Sequence, residues 1–431
     1  MKKESVALRI ILISSITILL FIPLFMIQSL IDDRQNYRLE AIREISRGWA
    51  GSQVIGGPVL TVVKKTERED NKGKKYFVEE STHYLPEVLD INADVEPEIR
   101  YKGIYELVLY KSKIQMKGQI DLTAFHKQFP SNDYDKVYLS FNVSDLRGMQ
   151  KDPKLLLNKT SYSLTPGLKN NVFKNGFYTE VKLDKNNLQD FEMELDLNGM
   201  EFLGFIPLGK YTVVNVGSPW NNPGFEGAFL PASRNISEKN FTAKWNVNYF
   251  NRTFPQEWSE NTYDVFPSVF GVKLLMPVDE YQKTTRTSKY GLMIVVLTFL
   301  SFFLVELFAK KVIHPIQYLL VGLALIIFYS ILLAVSEYIV FQYSYLVSSV
   351  LIILLIGLYV KSIYRSKQIA SIITGMLGMF YGFMYVILQL QDYSLLLGNI
   401  ALFIILAAVM FFTRKINWFE IFSGKEKQQI G

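Results

Sequence analysis

The residues best equipped for chemistry sit at the edges of long apolar runs. In the stretch from Glu306 to Pro315 a carboxylate stands one helical turn before Lys310, Lys311 follows, and His314, one of three histidines, directly precedes Pro315. A carboxylate and an imidazole bordering hydrocarbon could pass protons or hold a ligand, because ionisable groups within a membrane are functional candidates by default. The competing reading is a tight hairpin between two spans: Pro315 suits the first turn of a new helix and forbids continuation of the old one. On that reading Glu306 lies at a span end, where a carboxylate need not be buried. Glu337 and Asp392 invite the same comparison. Asp392 immediately precedes one apolar run and Ser336 nearly precedes another, which fits helix capping. Alternatively both carboxylates join Arg286 and Lys289 in a polar roof over the spans.

Other chemistries find no constellation. His83, His126 and His314 are far apart, and no His-x-x-x-His, Gly-x-Ser-x-Gly, phosphate-binding loop or metal-ligand spacing occurs. The chain has no cysteine, so disulfides, thiolate catalysis and thiolate metal sites are excluded. Glu192 and Glu194 fall on one face of an alternating stretch and read as solvated rather than as a hydrolase pair. Trp220, Phe225 and Trp258 could stack on a sugar; core packing or membrane-interface anchoring competes. The expectation is a protein without catalysis and without a cofactor.

The elements that must position these residues are mostly membrane spans. Charge-free runs occupy Ile10 to Ile31, Ile316 to Ser336, Tyr338 to Val360, Gln368 to Gln391 and Tyr393 to Thr413, and Tyr290 to Ala309 is interrupted only by Glu306. Each can cross roughly 30 Å of hydrocarbon as a helix. The first run has too long a core for a signal peptide, contains Pro23 and lacks a small-x-small cleavage site, so it reads as an uncleaved anchor. Basic residues flank alternate ends: Lys2, Lys3 and Arg9; Lys310 and Lys311; Lys361, Arg365 and Lys367; Arg414, Lys415, Lys425 and Lys427. The turns at Glu337 and Asp392 carry none. This bias places both termini in the cytoplasm and Asp32 to Lys289 outside. That outer segment holds 34 basic and 34 acidic residues, so the net charge of +6 encodes topology and not a nucleic-acid-binding face.

Four segments result: 1–31, a cytoplasmic tail and first span; 32–289, a periplasmic β-rich domain; 290–413, a five-helix bundle; and 414–431, a cytoplasmic tail. Leu39, Ile42 and Ile45 suggest that the first span continues as an amphipathic helix. Beyond Pro58 the period becomes two. Ile114, Met116 and Ile120 alternate with polar neighbours, as do Val137 to Val143, Phe191 to Leu197 and Phe241 to Tyr249. These predict strands with one wet face in an antiparallel sandwich or large curved sheet, with turns at Asn175-Gly176 and Asn198-Gly199. The fold class is therefore an α+β membrane protein with six transmembrane helices, one amino-terminal and five carboxyl-terminal, and a mainly antiparallel β domain between the first and second.

The runs "SPWNNPGFEGAFLP", "FTAKWNV", "FGVKLLMPVDEYQKTTRTSKYG", "HPIQYLLVGLALIIFYSILLAVSEY", "LQLQDYSLLLGN" and "VMFFTRKINW" resemble the CreD family of inner-membrane proteins. The likeness extends back through "YKGIYELVLYKSKIQMKG", "SDLRGM" and "IGGPVL". It departs at Tyr338, where many relatives have His, and at Gln391, where an acid is common. The resemblance implies a bacterial inner-membrane protein with a large periplasmic domain, associated with envelope integrity, envelope stress, colicin tolerance and β-lactam response. Its partners would be the lipid bilayer and envelope proteins or cell-wall components. The alternative is a small transporter or ion-coupled channel formed by the carboxyl-terminal helices. Pro277 to Tyr290, which is not Gly/Ser-rich, is expected to be a packed strand and basic membrane edge, with Asp279 paired and Arg286 or Lys289 meeting lipid phosphate, Glu337 or Asp392.

Overall fold

The computed structural model describes residues 6–69, 74–103, 105–130, 133–183, 186–275, 280–309, 311–389 and 394–414. The chain divides into two compact units, one formed by Leu39–Pro277 and the other by Met1–Arg38 with Val278–Gly431.

The first unit is built from two sheets, of nine and eight strands among the described residues. Period-two sequence becomes period-two burial. Along Phe241–Asn248 the side chains of Phe241, Ala243, Trp245 and Val247 are buried while Thr242, Lys244, Asn246 and Asn248 are exposed. Both sheets turn such faces inward onto one core, which includes Leu60, Ile91, Met116, Leu139, Phe205 and Trp245. Pairing is mostly antiparallel, as expected from the alternation. Two joins are parallel: Gln53–Glu69 against Phe202–Phe205, and Tyr211–Ser218 against Val88–Lys102. The short helix Thr123–Gln128 buries Phe125.

One expected turn is not a turn. Asn198 and Gly199 lie inside the strand Leu188–Met200, and at Glu201, whose φ is 58°, the chain passes from the eight-stranded sheet to the nine-stranded one. Gly199 is needed for a different reason, because a Cβ there would lie 2.3 Å from the Tyr110 ring. Close approach, which only glycine permits, mimics the sequence signal of a hairpin.

The second unit is helical. Its helices are α1 (Val6–Leu19), α2 (Phe21–Gly48), whose last turns belong to the β unit, α4 (Glu280–Lys289), α5 (Gly291–Ala309), α6 (Pro315–Ser336), α7 (Phe341–Tyr364), α8 (Lys367–Gln389) and α9 (Ser394–Thr413); α3 is Thr123–Gln128. The stretch Leu8–Gly48 and helices α5 to α8 are long and apolar enough to cross a membrane, and α9 is apolar over Leu396–Phe411. Pro23 explains the break between α1 and α2, since it offers no N–H to the carbonyl four residues earlier, at Leu19. Leu20 at that break is buried. The unit's core joins it to Phe299, Leu325, Tyr329, Ile352, Ile356, Ile373 and Leu377.

The connector to α5 is helical from Glu280, not a strand. Thr284, Thr287 and Ser288 are buried while Lys289 is exposed, a three-to-four-residue spacing that only a helix satisfies. Asp279 lies outside the described residues.

Candidate functional site

Glu306 and Glu337 each meet an arginine from the amino-terminal helices. Glu306 is on the last turns of α5 and is 4% exposed. Arg9 of α1 donates from Nη1 to Glu306 Oε1 at 2.8 Å, and Tyr318 of α6 donates its hydroxyl to Oε2 at 3.0 Å. The α5–α6 hairpin makes this possible: Phe299 and Phe302 pack edgewise and tilted on the Tyr318 ring, so Glu306, one turn beyond Phe302, faces the same way. Glu306 is therefore not the free span-end carboxylate expected from its neighbourhood in sequence. The cation that pairs with it among the described residues is 297 residues away along the chain.

His314 N-caps α6. Its Nδ1 accepts from the Ile316 N–H at 3.4 Å, and its own N–H donates to Gln317 Oε1 at 3.1 Å, closing a reciprocal capping box just before Pro315. The turn is pinned further by Lys311, whose Nζ donates to the Tyr364 carbonyl at 2.8 Å. Glu306 and His314 are thus each engaged, but in separate hydrogen-bond sets.

At the other end of the bundle Glu337 is the C-cap of α6, and Ser336 ends that helix, its hydroxyl donating to Leu333 O at 2.9 Å. Val340, not Ser336, occupies the N-cap of α7. Arg34 of α2 approaches Glu337 at 3.5 Å, an ion-pair distance, with Glu337 9% and Arg34 41% exposed. Where the polar-roof alternative has Arg286 and Lys289 over Glu337, Arg34 meets it instead, and among the described residues no ion pair involves Arg286 or Lys289. Asp392 lies outside the described residues. Nearby, Ser288 donates to Gln28 Oε1 at 2.6 Å, and Lys283 lies 5.6 Å from the Phe341 ring centroid. Between the two acids, Tyr329 and Tyr381 are buried with unpartnered hydroxyls, and Tyr345 donates to the Tyr381 carbonyl at 2.7 Å.

In the β unit, the "SDLRGM" residues form a joint. Asp145 accepts from the Gly51 N–H at 3.0 Å and from Arg147 Nε and Nη2 at 2.9 and 2.6 Å. Arg147 Nη1 donates to Arg47 O, and Gln53 Nε2 donates to the carbonyls of Asp145 and Asn198. Its hydrogen bonds with Arg147 hold the Asp145 carboxyl below its ordinary pKa. Ile42, Ile45 and Trp49 then pack on Leu107, Leu109 and Met200, so the end of α2 is keyed to the sheet. His83 is buried beside Trp258, its Nδ1 3.1 Å from Thr61 Oγ1, and burial pushes the imidazole down to about 4. His126 is remote from this and pairs with Asn187 at 2.9 Å. Trp258 is buried and offers no open stacking face, while Trp220 is half-buried against the core and donates to Leu275 O. Glu192 pairs with Lys117 at 2.9 Å on the wet face. Among the described residues no group of three His, Asp or Glu is placed to hold a metal ion.

The wet face of the eight-stranded sheet aligns Lys244, Asn215, Asn92, Gln115, Glu194 and Lys154 in one row across six strands. In the next row Gly217 stands between Thr242 and Asp94 without a side chain, leaving a concavity of about 420 Å³ bordered by Asp94, Arg234, Asn235 and Lys244. Asn215 Nδ2 donates to Asn92 Oδ1 at 2.9 Å, which leaves the Asn92 amide donors and the Asn215 carbonyl for another group. Alternation revealed that this face was wet; the concavity depends on register across four strands and could not be read from it.

The family described as "Inner membrane protein CreD" matches residues 5–419. The inner membrane protein CreD of Escherichia coli (strain K12) is 30% identical over 425 residues, which cover 95% of this chain and 93% of that protein. With a match of that extent over both the β unit and the spans, the chain belongs to the CreD family of inner membrane proteins.

Proposed function

We propose that the protein supports cell-envelope integrity and the envelope-stress response from the outer side of the inner membrane, through its β unit and without catalysis. The amide-lined concavity on the eight-stranded sheet carries this reading. Its paired asparagines present adjacent donors and an acceptor, and Asp94 and Lys244 bring charges of both signs, a surface suited to a polar wall or envelope component. Both termini are cytoplasmic in this reading. The Arg9–Glu306 contact supports it by putting the start of α1 at the same end of the bundle as the basic α5–α6 turn.

A transporter or ion-coupled channel formed by the carboxyl-terminal helices is the second reading, favoured by the buried Glu306. The two predict opposite genetics. In a strain lacking its own copy, Asn215→Ala combined with Lys244→Ala is expected to lower β-lactam and colicin tolerance, while Glu306→Gln, His314→Ala, Glu337→Gln and Asp392→Asn in properly inserted protein leave tolerance intact. Loss of tolerance confined to the helical variants would replace the first reading by the second.

A further inference from the structure

We propose that the first span is a charge-keyed member of the helical unit, and that the Arg9–Glu306 pair selects where and in which register it docks. The contact positions are spaced along one helical face. Arg9 meets Glu306, Leu20 sits against Gly322, Gln28 bonds Ser288 and Arg34 meets Glu337. At 3.6 residues per turn the intervals of eleven, eight and six residues place all four contacts within about 120° of the helix circumference, with Arg34 nearly in line with Arg9. The glycine is part of the fit, since a Cβ at position 322 would lie 2.2 Å from Leu20 Cδ1.

Among the described residues the inner pair has no substitute. Tyr318 hydrogen-bonds Glu306 but brings no charge. Lys311 is engaged with the Tyr364 carbonyl, and His314 is engaged in its cap. Without Arg9, a carboxylate 4% exposed would remain among Phe302, Tyr318 and Tyr364 with no other cation among the described residues, and an unpaired buried charge is far more costly than no charge. The reverse loss is milder. Arg9 is 19% exposed and lies near the start of α1, so its long side chain can reach the interface once Glu306 is gone. The outer Arg34–Glu337 pair, with Arg34 41% exposed, adds less.

This asymmetry is testable in the full chain, which has no native cysteine. Leu20→Cys with Gly322→Cys reports docking by disulfide formation in isolated membranes. Arg9→Leu is expected to lower the cross-linked fraction and to reduce the melting temperature of the cysteine-free protein in detergent by on the order of 10 °C. Glu306→Leu, added to Arg9→Leu, restores both readouts, as does the exchange Arg9→Glu with Glu306→Arg. Arg9→Lys, which keeps a cation, retains the cross-link. The proposal is overturned if Arg9→Leu cross-links and melts as the parent does, or if the double leucine variant is no better than Arg9→Leu alone.

Discussion

At the scale of single residues, burial and not sequence neighbourhood decides what a polar group does. His83 is neutral in a site closed by Trp258 and hydrogen-bonded to Thr61, with its imidazole pushed down to about 4. Its folded pKa lies below the unfolded value, so its contribution is fully present above about pH 6.5 and is lost as pH falls toward 4, by up to about 3 kcal/mol. Denaturant titrations followed by tryptophan fluorescence should show the β unit weakening over that window, and His83→Gln should flatten that part of the pH dependence. An unchanged pH profile in the variant would remove His83 as the cause. Glu306 teaches the complementary lesson. The apolar run around it was legible, as was its position one turn before Lys310. Its burial was not, because the cation that neutralises it is 297 residues distant and read only as one of the basic residues preceding the first span.

At the scale of elements, spacing was legible wherever one face of an element is buried. The strands announced themselves by alternation, and α6 by the proline at its first position. Sequence misled at Gly199, where close packing uses the same residue as a turn and admits the Tyr110 ring inside a strand; Gly322 admits Leu20 inside a helix that the apolar run already marked. Replacing Gly322 by Leu should destabilise the helical unit by about 1–3 kcal/mol through overpacking. Adding Leu20→Ala should recover part of the loss, read as melting temperature in detergent. If the two effects simply add, Leu20 is not the residue that the new side chain displaces. The helix α4 was missed because a charged decapeptide with three threonines looks extended by composition. Its buried Thr284 and Thr287 show the period that composition hides.

At the scale of the whole molecule, class and the apolar helices were legible because long apolar runs and period-two stretches do not resemble each other. Sheet order was not, since it depends on which distant strands pair. The proposed orientation makes a direct forecast. A cysteine at Glu238 should react with a membrane-impermeant maleimide in intact cells freed of their outer membrane, and one at Ser423 only after permeabilisation; the opposite pattern would invert the topology. The nine-stranded sheet carries a consequence for biosynthesis. Its strand Gln53–Glu69 adjoins Phe202–Phe205, which in turn adjoins Phe270–Leu274. No amino-terminal fragment short of residue 274 therefore owns that sheet complete, and such long-range pairing is slow. While the chain is being made, the early strands wait with open edges that can pair with other chains. The interval between synthesis of the first strand and the last is thus the period of greatest aggregation risk, and a slower ribosome lengthens it.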